Sequence, residues 1–148
     1  MLANHTQEET DRENRERCIS IAKEIEAIAD GRLYRCPECG KLYEIDEDAD
    51  EDQIHACPEC GSEIDEPEPA TMYDYFSDCF DIEYRISGNG EYKSVELCIA
   101  CGGPNIYIDT GSRTVKLYWW SDRAEVPIFG DACNQIDAEF EELYNCLH

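Results

Sequence analysis

Apolar residues in the first thirty positions recur at three- and four-residue intervals: Cys18, Ile21, Ala22, Ile25, Ile28 and Ala29. That spacing predicts a helix over residues 6–30 with one narrow apolar stripe in its second half. Thr6 with Glu9 fits a capping box, and Gly31 stands where a helix-ending glycine belongs. The first half, Gln7 to Arg17, is almost wholly polar and reads as a solvated helix start. Residues 71–80, with Met72, Tyr73, Tyr75 and Phe76, fit a short helix that packs aromatic rings onto the segment C-terminal to it.

From Asp81 the period changes to two. Ile82, Tyr84 and Ile86 share one strand face, as do Val95, Leu97 and Ile99, then Ile106 and Ile108, then Val115, Leu117 and Trp119. Ser87-Gly88-Asn89-Gly90, Gly102-Gly103-Pro104-Asn105 and Thr110-Gly111-Ser112 punctuate these runs as turns, and residues 123–128 add an edge strand. Cys133, Ile136, Phe140, Leu143 and Leu147 then follow 3-4-3-4 spacing, with Asp131 as the expected cap. Such a stripe suits a helix laid across one face of an antiparallel sheet. The expected fold class is α+β: an N-terminal helix, a cysteine-held ribbon, and a meander of four or five strands with a C-terminal helix packed on it. The expected division is residues 1–32 for the helix, 33–65 for the ribbon, 66–70 for a proline-punctuated acidic linker, and 71–148 for the sheet domain.

Cysteine spacing adds chemistry to this pattern. Cys36-Pro37-Glu38-Cys39-Gly40 and Cys57-Pro58-Glu59-Cys60-Gly61 are the same five-residue unit used twice. A two-residue gap lets both thiolates of each unit reach one ion, and four thiolates around a tetrahedral ion leave no open position for substrate. Cys36, Cys39, Cys57 and Cys60 are therefore expected to hold one structural metal ion. A third pair, Cys98 and Cys101, lies within a strand pattern, where it and Cys79, Cys133 and Cys146 read as small buried hydrophobes.

Charge changes the picture further. The 148 residues carry 35 acids and 12 bases, a formal net charge of −23. Residues 36–84 hold 17 of the acids and one base, Lys41, whereas residues 85–148 hold 10 acids and five bases. Adaptation to salt spreads acid over a whole surface; a binding surface concentrates it. Glu44, Asp46, Glu47, Asp48, Asp50, Glu51 and Asp52 put seven acids in nine residues between the knuckles. Glu63, Asp65, Glu66, Glu68, Asp74 and Asp78 extend the run. Asp46, Asp48 and Asp50 imitate the start of a calcium loop, but Glu51 replaces its turn glycine and Cys57 its closing glutamate. Such an array is expected to repel nucleic acid and anionic lipid and to attract a cationic partner.

No apolar run is long enough to span a bilayer. Met1-Leu2-Ala3-Asn4-His5 lacks the basic start and apolar stretch of a secretory signal, so the ten cysteines are expected in a reducing cytoplasm. Histidines occur only at 5, 55 and 148, with no phosphate-cradling glycine loop and no nucleophile elbow. The expectation is a non-enzyme.

The knuckles, with Tyr34 and Tyr43 beside them, resemble zinc ribbons and rubredoxin-like modules over residues 33–64. The resemblance implies zinc as the ion, with iron as the alternative. Three further segments, Cys101-Gly102-Gly103-Pro104-Asn105-Ile106-Tyr107, Leu117-Tyr118-Trp119-Trp120 and Phe140-Glu141-Glu142-Leu143-Tyr144, resemble a recurrent family of small proteins of phages and other mobile elements, over residues 71–147. Small acidic proteins of such elements include anti-CRISPR inhibitors and antirestriction DNA mimics. The resemblance implies an inhibitor that occupies the basic cleft of a DNA-binding protein, a CRISPR nuclease being the leading target, without touching nucleic acid itself. A zinc-ribbon interaction adaptor anchored by Tyr118, Trp119 and Trp120 is the alternative reading, and a rubredoxin-like redox carrier the third.

Overall fold

A computed structural model describes residues 6–45 and 55–147 of the chain. Its architecture is α+β. The first helix, α1, runs Gln7–Ala29, and the Thr6 hydroxyl accepts the Glu9 amide at 3.1 Å to cap it. At its far end Arg32 N–H donates to Ala27 C=O and Gly31 N–H to Ile28 C=O, which uses two carbonyls the helix would otherwise leave bare. Cys18, Ala22, Ile25, Ala27 and Ile28 are its buried residues.

Strands β1 (Leu33–Arg35), β2 (Leu42–Glu44) and β3 (Glu68–Pro69) form a small antiparallel sheet in the order β2-β1-β3. Residues 68 and 69 were expected within a linker; instead Tyr34 pairs with Pro69 and Arg35 with Glu68. Pro69 can occupy this position because β3 is an edge strand. Ala70 comes next, buried, and its amide donates to Leu33 C=O. Helix α2 (Met72–Phe76) carries a full capping box between Thr71 and Asp74.

The larger sheet is a five-stranded antiparallel meander of β4 (Asp81–Ile86), β5 (Tyr92–Ala100), β6 (Asn105–Asp109), β7 (Thr114–Trp119) and β8 (Asp122–Pro127), each strand paired with the next. Helix α3 (Ala132–Leu147) closes the described chain. One sheet face is covered: α1 lies over β7 and β8, while α3 packs against β5, α1 and α2. Val95, Leu97, Ile106, Ile108, Val115, Leu117 and Val126 meet the helical residues Ile25, Ile28, Phe76, Ile136 and Phe140 in one core. Leu33 and Ala70 belong to that core as well, so the base of the small sheet is fastened into it. No described helix is long and apolar enough to cross a membrane.

The expected apolar faces hold for Val95, Leu97, Ile106, Ile108, Val115 and Leu117, whereas Trp119 at the end of β7 stays 36% exposed. The pairing of β4 with β5 shifts register between Arg85 and Ile86, and Ile86 turns out to 49% exposure instead of joining the core. At the end of α3 the last buried position is Tyr144 rather than Leu147; its hydroxyl donates to Gly90 C=O at 2.8 Å, which fixes the helix end on the β4–β5 turn.

Candidate metal centre and acidic surface

Each knuckle is built the same way. Gly40 N–H donates to Cys36 C=O at 2.8 Å, and Gly61 N–H to Cys57 C=O at 2.9 Å. Both glycines have φ 75°, a left-handed conformation that a side chain would strain, so the repeated glycine is what allows the chain to fold back behind the thiols. Cys36 N–H then bonds Lys41 C=O, and Cys57 N–H bonds Ser62 C=O, closing two matching loops. Backbone amides point at the sulfurs: Cys39 N–H at Cys36 Sγ, and Glu59 and Cys60 N–H at Cys57 Sγ, over 3.4–3.5 Å. Such amides favour the thiolate form.

The knuckles face one another. Cys36 Sγ lies 3.8 Å from Cys60 Sγ, and Cys39 Sγ 3.7 Å from Cys57 Sγ, with all four sulfurs inside 4.8 Å. A tetrahedral ion with metal–sulfur bonds of ~2.3 Å spaces its ligands ~3.8 Å apart, so the donor set fits such an ion. Cys36 and Cys57 are sealed inside, at 0% and 2% exposure, while Cys39 and Cys60 lie at the surface. The Ser62 hydroxyl, 3.2 Å from Cys60 Sγ, and the Ser62 backbone together hold the Cys60 thiol down at about 6. Four thiolates this close repel one another strongly, and a cation at their centre is what allows all four to ionise.

Aromatic packing braces the cluster. Cys36, Tyr43, Cys57 and Ile64 form a second small core, and Tyr34 stacks on Tyr43 with ring centroids 6.1 Å apart. Of the side chains that sequence reasoning missed, Ser62 had only its place after the second knuckle to signal it. His55 does not join the four clustered sulfurs; its Nδ1 lies 2.8 Å from Ile64 C=O.

The third cysteine pair is not drawn into a comparable cluster. Among the described residues only the four ribbon cysteines come close enough to hold an ion. Strand β5 ends between Cys98 and Cys101; Cys98 is buried, donates to Ala100 C=O at 3.4 Å, and has its thiol pushed up by burial, whereas Cys101 is exposed.

The acids named from sequence separate into three groups. Asp46, Glu47, Asp48, Asp50, Glu51 and Asp52 lie outside the described residues. Glu44 pairs with Arg32 at 3.1 Å, Glu68 with Arg35 at 3.9 Å, and Asp74 is occupied as the carboxylate of the α2 capping box. Glu63, Asp65, Glu66 and Asp78 are exposed and without an ion-pair partner among the described residues.

A charged cluster on the open sheet face gave no sequence signal. Arg85, Glu96, Asp109 and Lys116 meet there across the sheet, with Asp109 only 2% exposed. Burial opposes its charge, but Arg85 at 2.7 Å and Lys116 at 2.9 Å hold its carboxyl well below the usual carboxylate range. These residues are far apart in sequence, and only the sheet register brings them together.

No family model matches the chain, and no curated protein or solved structure matches it either.

Proposed function

We propose that this is a zinc-braced acidic binding protein, not an enzyme, that occupies the cationic nucleic-acid cleft of a DNA-binding protein and competes with DNA there. The observation that carries the reading is the placement of acid around the metal module. Glu63, Asp65 and Glu66 come directly after the second knuckle, exposed and unpaired among the described residues. Six further acids, Asp46 to Asp52, lie in the sequence between the knuckles. Duplex DNA carries one charge per ~1.7 Å of axis, and a carboxylate array on a metal-held support presents a comparable field to lysines and arginines. The metal matters to affinity because an unsupported acidic segment would lose conformational freedom on binding.

The closed four-sulfur set suits zinc or iron, and zinc is favoured because no other electron-transfer motif appears in the sequence. The ion would fix the knuckles and take no part in chemistry. A DNA-targeting defence effector, a CRISPR nuclease first, is the target class supplied by the mobile-element resemblance.

The test is a DNA-binding and DNA-cleavage competition against candidate effectors, with elemental analysis of the same preparation. The expected outcome is one zinc per chain, a colourless protein, and displacement of DNA that weakens as salt rises. A red, iron-containing preparation overturns the zinc assignment. Binding that leaves DNA access untouched overturns the competitive mechanism.

A further inference from the structure

At the end of the sheet where α1 begins, strands β7 and β8 are joined by a two-residue turn, Trp120-Ser121, with Trp119 opposite Asp122 as the last pair. Trp120 has φ 56°, and apart from Arg113 it is the only non-glycine residue at positive φ among the described residues. Positive φ at the first central position without positive φ at the second, Ser121, belongs to the type II′ hairpin turn, whose usual occupant at the first place is glycine. A tryptophan in that place is an outlier, and burial does not account for it, because the ring meets Trp119 at one edge and is otherwise 91% exposed. Trp119 beside it is supported, and a side chain at Gly103 would come within 3.3 Å of its Cζ3. The two indoles stand edge to face, centroids 6.4 Å apart. Tyr118 and Phe80 add exposed aromatic surface at the same end of the sheet.

The surroundings of this tip are negative. Gln7 at the start of α1 donates from Nε2 to Asp122 Oδ1 at 2.7 Å and to Asp11 Oδ1 at 2.9 Å, which gathers two carboxylates close behind the turn. An exposed indole face beside carboxylates is the combination that receives a guanidinium or ammonium group, by cation–π attraction and ion pairing together. Arg123 pairs opposite Tyr118 on the far sheet face, whereas Asp122 faces α1.

We propose that the β7–β8 turn is a docking tip for an arginine- or lysine-bearing protein surface, with Trp120 as the ring that receives the cation and Asp122 and Asp11 as its counter-charges. The inference rests on the proposed function in one respect, the positive charge of the partner. Charge complementarity selects that occupant over a second copy, since two chains of −23 repel. The site is distinct from the ribbon: α1 spans 23 residues, about 35 Å, between Asp122 and the metal module.

The probes are a nine-residue arginine peptide, its lysine counterpart and an uncharged glycine-serine peptide of equal length. They are titrated at low and at raised salt into the full chain carrying Trp119→Phe, so that emission reports Trp120 alone. At raised salt, where long-range attraction is screened, Trp120→Gly should lose about 2- to 30-fold in arginine-peptide affinity by calorimetry. Trp120→Phe should retain most of that affinity, and Asp122→Asn should lose part of it. A Glu63→Gln/Asp65→Asn/Glu66→Gln variant should retain the salt-resistant part. Equal affinity of wild type and Trp120→Gly at raised salt overturns the tip, as does self-association of the wild type that Trp120→Gly abolishes. Wild type that leaves DNA binding by the candidate effectors untouched, while the arginine peptide still binds through Trp120, overturns the proposed function and leaves the tip standing.

Discussion

The Arg85 guanidinium reaches from β4 across β5 and grips the Asp109 carboxylate on β6 with two hydrogen bonds, of 2.7 and 3.0 Å. Lys116 holds the second oxygen from β7, and the Gly111 and Ser112 amides hold the first. Removing the charge leaves two cations facing a neutral amide on a half-buried surface. Asp109→Asn should therefore cost about 3 kcal/mol and lower the melting temperature by roughly 6–12 °C. Because Asp109 is held below its ordinary value, its contribution is complete above about pH 4 and fades as pH falls toward the folded value. Urea denaturation at pH 7 and pH 3 checks the sign: the variant's deficit should be smaller at the lower pH. Gly111→Ala probes the same cluster without touching charge, since its Cβ would meet Arg85 Nη1 at 3.0 Å; a loss of about 1–3 kcal/mol is expected.

Chelating the metal, or replacing Cys36 with serine, should release the knuckles and leave the main core folded. Cys36 and Cys57 pack with Tyr43 and Ile64 in a core of their own, while the helices and the five-stranded sheet share another. Hydrogen exchange should show protection lost between Tyr34 and Pro67 and retained in β5 to β7. Leu33 and Ala70 join the two parts, so the main transition should fall by an amount on the order of 2 kcal/mol. Loss of both halves in one transition would show that the ribbon is an integral part of the main core.

Trp120→Gly should raise stability while it removes the largest exposed ring. Relief of the left-handed backbone is expected to gain about 1 kcal/mol, or roughly 2–4 °C in melting temperature. Thermal unfolding of the metal-loaded protein decides this, and an unchanged or lowered midpoint would show that the turn carries no strain.

Neutralising Glu63, Asp65, Glu66 and Asp78 together tests the acidic surface with side chains of the same size. Exposed charge contacts are worth ~0.2–1 kcal/mol each, so the four should cost roughly 1–4 kcal/mol, about five- to several-hundred-fold in affinity for a basic cleft. The difference from wild type should shrink as salt rises. A variant that competes with DNA as well as wild type at low salt would remove these acids from the binding surface.

The helices, the antiparallel meander and the clustering of four cysteines were legible in the chain because each rests on local spacing: Ile25 and Ile28 at helical intervals, Val95 and Leu97 at strand intervals, Cys36 and Cys39 separated by two residues. Features set by long-range register were not. The pairing of Tyr34 with Pro69 turned a proline-marked linker into an edge strand, because Pro69 lacks a donor but β1 asks none of it on that side. The slip at Ile86 and the Arg85–Asp109 pair depend on how β4 lies against β5 and β6, which alternation alone does not encode. Asp74 was read as surface charge and is a helix cap, since the same carboxylate serves either role and only the Thr71 amide beside it decides.

The unbroken helix α1 also bears on recognition. With Gln7 tied to Asp122 and Arg32 leading into the ribbon, it acts as a rigid spacer between an aromatic end and an acidic end. A flexible tether of the same length would sample many separations and reward few of them; a helix fixes one. A partner that meets both ends must then carry two cationic sites about 35 Å apart, and engaging the first holds the second at a raised effective concentration. Selectivity among basic proteins would then depend on distance as well as charge.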